Sequence, residues 1–318
     1  MKTGVLLVNL GTPRSFSKKD VKLFLREFLL DPLVIDIPYF FRWILVNCII
    51  IPNRLTDVSG KYERIWTPLG SPLDVHSKEL EKKFNLLRPN LVTKLAMRYG
   101  ENSIEKKIAE FDSEEFEKVI VVPLFPHICE ATTGAVENEV LRVGAKFQNI
   151  KFELIKGFCD HDGFIHPFVE ITKAMKINKK LDFLVFSFHG MPEKSVLHQG
   201  IDYREECLRT AQALRNQLGW PAERMLVSFQ SRLGKANWTK PYTNDALLEL
   251  LRIGIKRVVV IAPSFVADCL ETLEELDLEL RKQFIDSGGE SFKLIPSLNS
   301  SDAWVEGLGR IVDGRLGV

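Results

Sequence analysis

Short apolar runs that stop abruptly on a polar or glycine-containing tip recur along this chain. The most regular is LDFLVFSFHGMP, Leu181 to Pro192, where the apolar stretch breaks at Ser187 and ends on His189, Gly190 and Pro192. VLLVNLGTP, Val5 to Pro13, has the same design, and LVTKLAMRYG, KVIVVPLFP and KFELIKGF add further runs between Leu91 and Phe158. Runs this short, rich in Val and Phe and without polar alternation, predict strands covered on both faces of a parallel sheet. Between them the pattern predicts helices near Lys18 to Leu30, Ser77 to Leu87 and Ser103 to Phe111, another after Cys129 to Gly134, and a closing helix from Asp302 to Leu316. Strands alternating with helices are the signature of a βαβ architecture, so the fold class is α/β.

The punctuation occurs twice in one order. Gly11-Thr12-Pro13, Arg98-Tyr99-Gly100 and Pro123 to Cys129 are matched by Gly190-Met191-Pro192, Ser231-Arg232-Leu233-Gly234 and Pro263 to Cys269. That order predicts an internal duplication: two similar doubly wound, Rossmann-like parallel-sheet domains, residues 1–158 and 159–318. A ligand is expected in the cleft between them, since pockets form preferentially at domain interfaces. The first domain carries an apolar insertion over residues 31–52.

That insertion is the oddest stretch. Leu33 to Ile51 is apolar nearly throughout but contains Asp36, Pro38 and Arg42. A membrane span needs about 20 apolar residues without such breaks. Three readings stay open: a buried core helix, a lip around an apolar ligand, and a peripheral membrane contact through Tyr39, Phe40, Phe41 and Trp43.

Bulk properties narrow the function. The chain has 318 residues, 45% hydrophobic and 27% charged, with a net charge of +1. With no basic cluster, nucleic acid is not an expected partner. Cys48, Cys129, Cys159, Cys207 and Cys269 are scattered without a C-x-x-C pair, which argues against a disulfide framework, a zinc ribbon or a locally bound iron–sulfur cluster and fits a reducing cytoplasm. The apolar run from Val5 is shorter than a signal-peptide core and reads as the first strand. Neither a G-x-G-x-x-G after Leu10 nor a Walker A sequence is present, so nucleotide cofactors are poorly supported.

Candidate chemistry gathers at two strand tips. Ligands bind beyond the carboxyl ends of strands in open parallel sheets, which is where His189 falls. The plain alternative is a histidine that only bonds backbone in a tight turn. Cys269-Leu270-Glu271-Thr272-Leu273-Glu274-Glu275 opens a helix after another strand, and Glu271 and Glu275, four apart, share one stripe of it. Here the plain alternative is an acidic capping box, Asp268 with Glu271, on a solvated face. An imidazole near carboxylates suits a divalent metal, a proton relay, or both.

Taken together, VLLVNLGTP, GSPL at Gly70 to Leu73, Thr132-Thr133-Gly134, SFHGMP, FQSRLG followed by Trp238, and ADCLETLEELD resemble the ferrochelatase family over nearly the whole chain. The resemblance implies a chelatase-type fold and insertion of Fe²⁺ into protoporphyrin IX to give protohaem. It implies His189 as pyrrole base or metal ligand, Glu271 as the opposing acid and second metal ligand, and Glu275 as the next carboxylate of a metal or proton path. Leu10, Arg98, Tyr99, Trp238 and Phe265 match porphyrin-contacting positions, and the apolar insertion matches the family's lip. Leu10, lacking a hydroxyl, is expected to favour protoporphyrin over coproporphyrin. His127 and Glu130 stand where related bacterial sequences tend to have Gln and Cys, and Ile201 and Arg204 interrupt the usual loop motif. Fe²⁺ being a substrate, no tightly bound cofactor is expected, and without a Cys-rich C-terminal extension no iron–sulfur cluster. The expected state is a cytoplasmic monomer. Rival readings are a chelatase for another metal or tetrapyrrole, such as cobalt or coproporphyrin, and a tetrapyrrole-binding protein without catalysis.

Overall fold

The computed structural model of the chain describes residues 2–234 and 236–316. Among these residues, two four-stranded parallel sheets carry the fold. The first consists of β1 (Thr3–Asn9), β2 (Val92–Met97), β3 (Lys118–Pro123) and β4 (Lys151–Leu154), in the order β2-β1-β3-β4. In the second half β5 (Phe183–His189) is followed by a short antiparallel hairpin of β6 (Leu197–His198) and β7 (Ile201–Asp202). Then come β8 (Met225–Gln230), β9 (Arg257–Ile261) and β10 (Ser291–Leu294), and the sheet order is β10-β9-β5-β8. Read from its other edge, this sheet repeats the first: second long strand, first, third, fourth. The duplication expected from the punctuation is present in the connectivity.

Both sheets form for the expected reason. The central strands β1, β3, β5 and β9 are buried almost from end to end, which demands apolar residues on both faces. In the first sheet Leu6, Val8, Val119 and Val121 pack against Ile104, Ile108, Phe111, Val136 and Val140 from the helices Ile104–Ser113 and Ala135–Gly144. In the second, Val185, Val258 and Val260 pack against Leu247, Leu250, Leu276, Leu280 and Phe284.

The chain divides into two compact units. One holds the chain up to Phe125, Glu130–Gly157 and the chain from Val312; the other holds Pro126–Cys129 and Phe158–Ile311. The main switch lies between Gly157 and Phe158; the sequence reading, which puts everything after 158 in the second domain, differs in the end of the closing helix from Val312, which belongs to the first unit, and in Pro126–Cys129, which belongs to the second. Local bonds explain the placement of Pro126–Cys129. The carbonyl of Pro126 accepts from the N–H of Phe158, and the N–H of Ile128 donates to the buried carboxylate of Glu206.

The apolar insertion begins with turns and from Tyr39 enters one continuous helix, α-helical over Tyr39–Ile44, π-helical over Leu45–Ile50 and α-helical again over Ile51–Ile65. Pro52 lacks an N–H and cannot sit inside a regular α-helical ladder, and the widened turn before it accommodates that loss. Leu29, Val46 and Ile51 form its inner contact. Polarity is inverted in its first turns. Arg42 is 7% exposed and donates to the carbonyls of Ile35 and Ile37, whereas Tyr39, Phe40 and Phe41 are 63%, 67% and 61% exposed. Among the described residues no helix is long and apolar enough to cross a membrane.

Candidate active site

His189 is the last residue of β5, in register with Gln230 at the end of β8. Its backbone is fixed on both sides: the N–H donates to Ser264 Oγ at 3.2 Å, and the carbonyl accepts from the buried Tyr203 hydroxyl at 2.8 Å. The ring Nδ1 lies 2.6 Å from the carbonyl oxygen of Gly190. A carbonyl only accepts, so Nδ1 carries the hydrogen, and the tautomer this bond selects has its lone pair on Nε2. The histidine thus bonds backbone in the turn, as the plain alternative had it, and that bond itself orients a basic nitrogen. Gly190 is required here, because a Cβ would come within 2.7 Å of the Gln230 carbonyl. Trp238 closes the same turn, bridging to Pro192 and donating its indole N–H to the Leu233 carbonyl at 3.0 Å. Phe265, just after β9, has its ring 6.1 Å from that of His189.

Glu271 and Glu275 lie on a π-helix, Leu270–Leu280, and not on the α-helix the spacing predicts. The expected Asp268–Glu271 capping box is also corrected: Cys269 and Thr272 make the cap. Asp268 is buried and accepts from Thr272 Oγ1, the Ser297 N–H and the Asn299 amide. Glu271 is therefore spared a capping role. Burial first, and the Glu271 carboxylate beside it second, push the Cys269 thiol well up, so it stays protonated.

Glu275 is the most constrained acid of the site. Ser231 donates to it twice, from its N–H at 2.8 Å and its hydroxyl at 2.5 Å. Burial raises its pKa above the usual carboxylate value; the Ser231 bonds oppose this, the Glu271 charge adds to it, and the His189 charge subtracts. His189, Glu271 and Glu275 thus share one electrostatic field at the carboxyl edge of the second sheet. Among the described residues no group of three or more His, Cys, Asp or Glu side chains is arranged to hold a metal ion.

The remaining candidates belong to the first unit. Leu10 follows β1 and is half-buried, its carbonyl accepting from the Tyr99 N–H. Arg98 and Tyr99 differ from expectation. Tyr99 is 1% exposed, with its hydroxyl 2.9 Å from Asp31 and its ring edge-on to Phe28. The Arg98 guanidinium is held by Asp31 and by the Ala135 carbonyl. Asp31 is buried and needs these donors, so both side chains are turned into the unit and Tyr99 offers no face to a ring.

A family model described as Ferrochelatase matches residues 2–316. The chain belongs to the ferrochelatase family. A ferrochelatase of Pseudomonas aeruginosa is 38% identical over 99% of this chain and 98% of its own length. Those of Aromatoleum aromaticum and Coxiella burnetii are 40% and 36% identical, again over 99% of this chain, and over 88% and 94% of theirs. Among solved structures, SirB from Bacillus subtilis with Fe³⁺ has a TM-score of 0.57 at 13% identity, covering 100% of this chain and 98% of that one. CbiX, described as the terminal enzyme of sirohaem biosynthesis in denitrifying bacteria, has a TM-score of 0.50 at 12% identity, covering 98% of each chain. These two show the chelatase-type fold.

Two residues of this ferrochelatase-family site do not stand out in the sequence. Gln230 donates to the Glu271 carbonyl at 2.9 Å, and Ser231 holds Glu275. Both fall within the FQSRLG stretch at the tip of β8, but nothing in that motif marks them as partners of the two glutamates.

Proposed function

We infer that this chain inserts Fe²⁺ into protoporphyrin IX to give protohaem, with His189 taking pyrrole protons and Glu271 and Glu275 conducting protons or metal. The reaction replaces two N–H protons of the ring with one divalent cation, so it needs a base at the ring face and an acidic route away from it. One observation carries the assignment of roles: the Nδ1–H of His189 is engaged by Gly190, which leaves the Nε2 lone pair as the basic site beside Phe265 and the two glutamates. The alternative role for the same two residues, His189 and Glu271, is to hand on the metal. Trp238 and Phe265 supply apolar surface next to the imidazole, as a flat macrocycle requires. Leu10 supports protoporphyrin as the ring, having no hydroxyl to offer a more polar one.

The exposed Tyr39, Phe40 and Phe41, on the same helix that buries its own Arg42, support peripheral contact with a membrane interface. Five free cysteines support a reducing, cytoplasmic setting.

Side-by-side insertion of Fe²⁺ into protoporphyrin and coproporphyrin, followed by absorbance, tests the reading. Faster turnover of protoporphyrin is expected. Faster coproporphyrin turnover would overturn the choice of ring, and porphyrin binding with no insertion into either would overturn the reaction.

A further inference from the structure

Ser231 follows β8 with a φ of 64°, in the left-handed region that glycine adopts freely and other residues avoid. Three residues on, Gly234 has a φ of 69°, the ordinary solution where only the backbone matters. A side chain retained at such a position calls for a use. Here the left-handed turn aims two donors of one residue at one carboxylate: the N–H reaches Oε1 of Glu275 at 2.8 Å and the hydroxyl reaches Oε2 at 2.5 Å. Gln230 adds a longer contact to Oε2, at 3.4 Å, and its carbonyl-type oxygen accepts from Ser187 Oγ at 2.6 Å. Ser187 lies two residues before His189 on β5 and is 0% exposed, so a buried polar chain links the strand that bears the imidazole to the carboxylate on the π-helix.

We propose that Ser231 is a positioning residue for metal insertion that acts through Glu275, its left-handed backbone and its hydroxyl together fixing the orientation of that carboxylate. The proposal rests on the role given to Glu275 above. A carboxylate on a side chain with three rotatable bonds samples many orientations, and two donors set at fixed angles by the backbone reduce these to one. The linkage through Gln230 and Ser187 keeps that orientation in step with the strand carrying His189.

The test uses Ser231→Gly, which suits the backbone conformation, keeps the N–H donor and removes only the hydroxyl. Steady-state insertion of Fe²⁺ into protoporphyrin should show kcat lowered roughly tenfold, with KM for the ring within about twofold of wild type. The melting temperature should be unchanged or higher. In a Glu275→Gln background the same substitution should cause no further loss. Unchanged kcat, or equal fractional losses in both backgrounds, would overturn the proposal, as would a loss of rate accompanied by a fall in melting temperature. The Glu275→Gln single variant reports separately on the underlying reading. If it retains wild-type kcat, the role of Glu275 fails and the proposal falls with it; if it is slow while Ser231→Gly is not, only the proposal fails.

Discussion

Nδ1 of His189 donates to the carbonyl oxygen of its own neighbour, Gly190, at 2.6 Å. The bond is possible because residue 190 has no side chain: a Cβ there would lie 2.7 Å from the Gln230 carbonyl, a backbone atom that cannot step aside. Gly190→Ala is therefore expected to destabilise the protein by about 1–3 kcal/mol and to slow insertion by misdirecting the imidazole. Denaturant unfolding and steady-state kinetics check the two effects, and wild-type values for both would contradict the packing argument.

Glu275 gives a pH dependence. Burial raises its pKa, so between the usual carboxylate range and the raised value it is still partly protonated in the folded protein. A group that accepts protons works only when ionised. The insertion rate should therefore climb as pH rises through the raised value, and Glu275→Gln should lose that limb as well as turnover. A pH–rate profile for the variant that keeps the wild-type acid limb would assign the limb to another group.

His127 bears on stability, not chemistry. It is 3% exposed, its Nε2 is 2.9 Å from Thr210 Oγ1, and burial, with Arg209 adding, lowers its pKa from 6.5 to about 3. Between those values the unfolded chain binds a proton that the folded chain refuses, so the folded state loses stability as pH falls, by up to about 1.4 kcal/mol per pH unit. His127→Gln should lose stability less steeply than wild type below pH 6.5. Parallel slopes in denaturant titrations at several pH values would rule this out.

How far the sequence could be read depended on the range of the interaction. Strand ends at Asn9, Pro123 and His189 were legible because a fully buried strand must be apolar throughout, and its tip then stands out. Glu271 and Glu275 were legible as one stripe, but not the π-helix beneath them, since one additional residue per turn leaves no distinct hydrophobic period. Ser231 was hidden because a left-handed residue is usually announced by glycine. The burial of Tyr99 is not legible locally, because the residue that claims its hydroxyl, Asp31, lies 68 positions away. Pro126–Cys129 changed units for a similar reason, through bonds to Phe158 and Glu206.

The apolar insertion makes a separate prediction. Phe40 and Phe41 are 67% and 61% exposed, so replacing both by Ser should leave the melting temperature within about 2 °C of wild type, as for other surface changes. If the surface docks on lipid, the same variant should lose co-sedimentation with anionic phospholipid vesicles while keeping insertion into detergent-dispersed porphyrin. Equal co-sedimentation of both proteins would remove the membrane from the account.

The central claim, that the imidazole at the end of β5 drives metal insertion, is tested most directly by His189→Ala, assayed for Fe²⁺ insertion into protoporphyrin alongside porphyrin binding by fluorescence quenching. The account predicts turnover lowered by at least about a hundredfold, in the range for loss of a general base, with the dissociation constant for porphyrin within a few-fold of wild type. Near-normal turnover in this variant would contradict it.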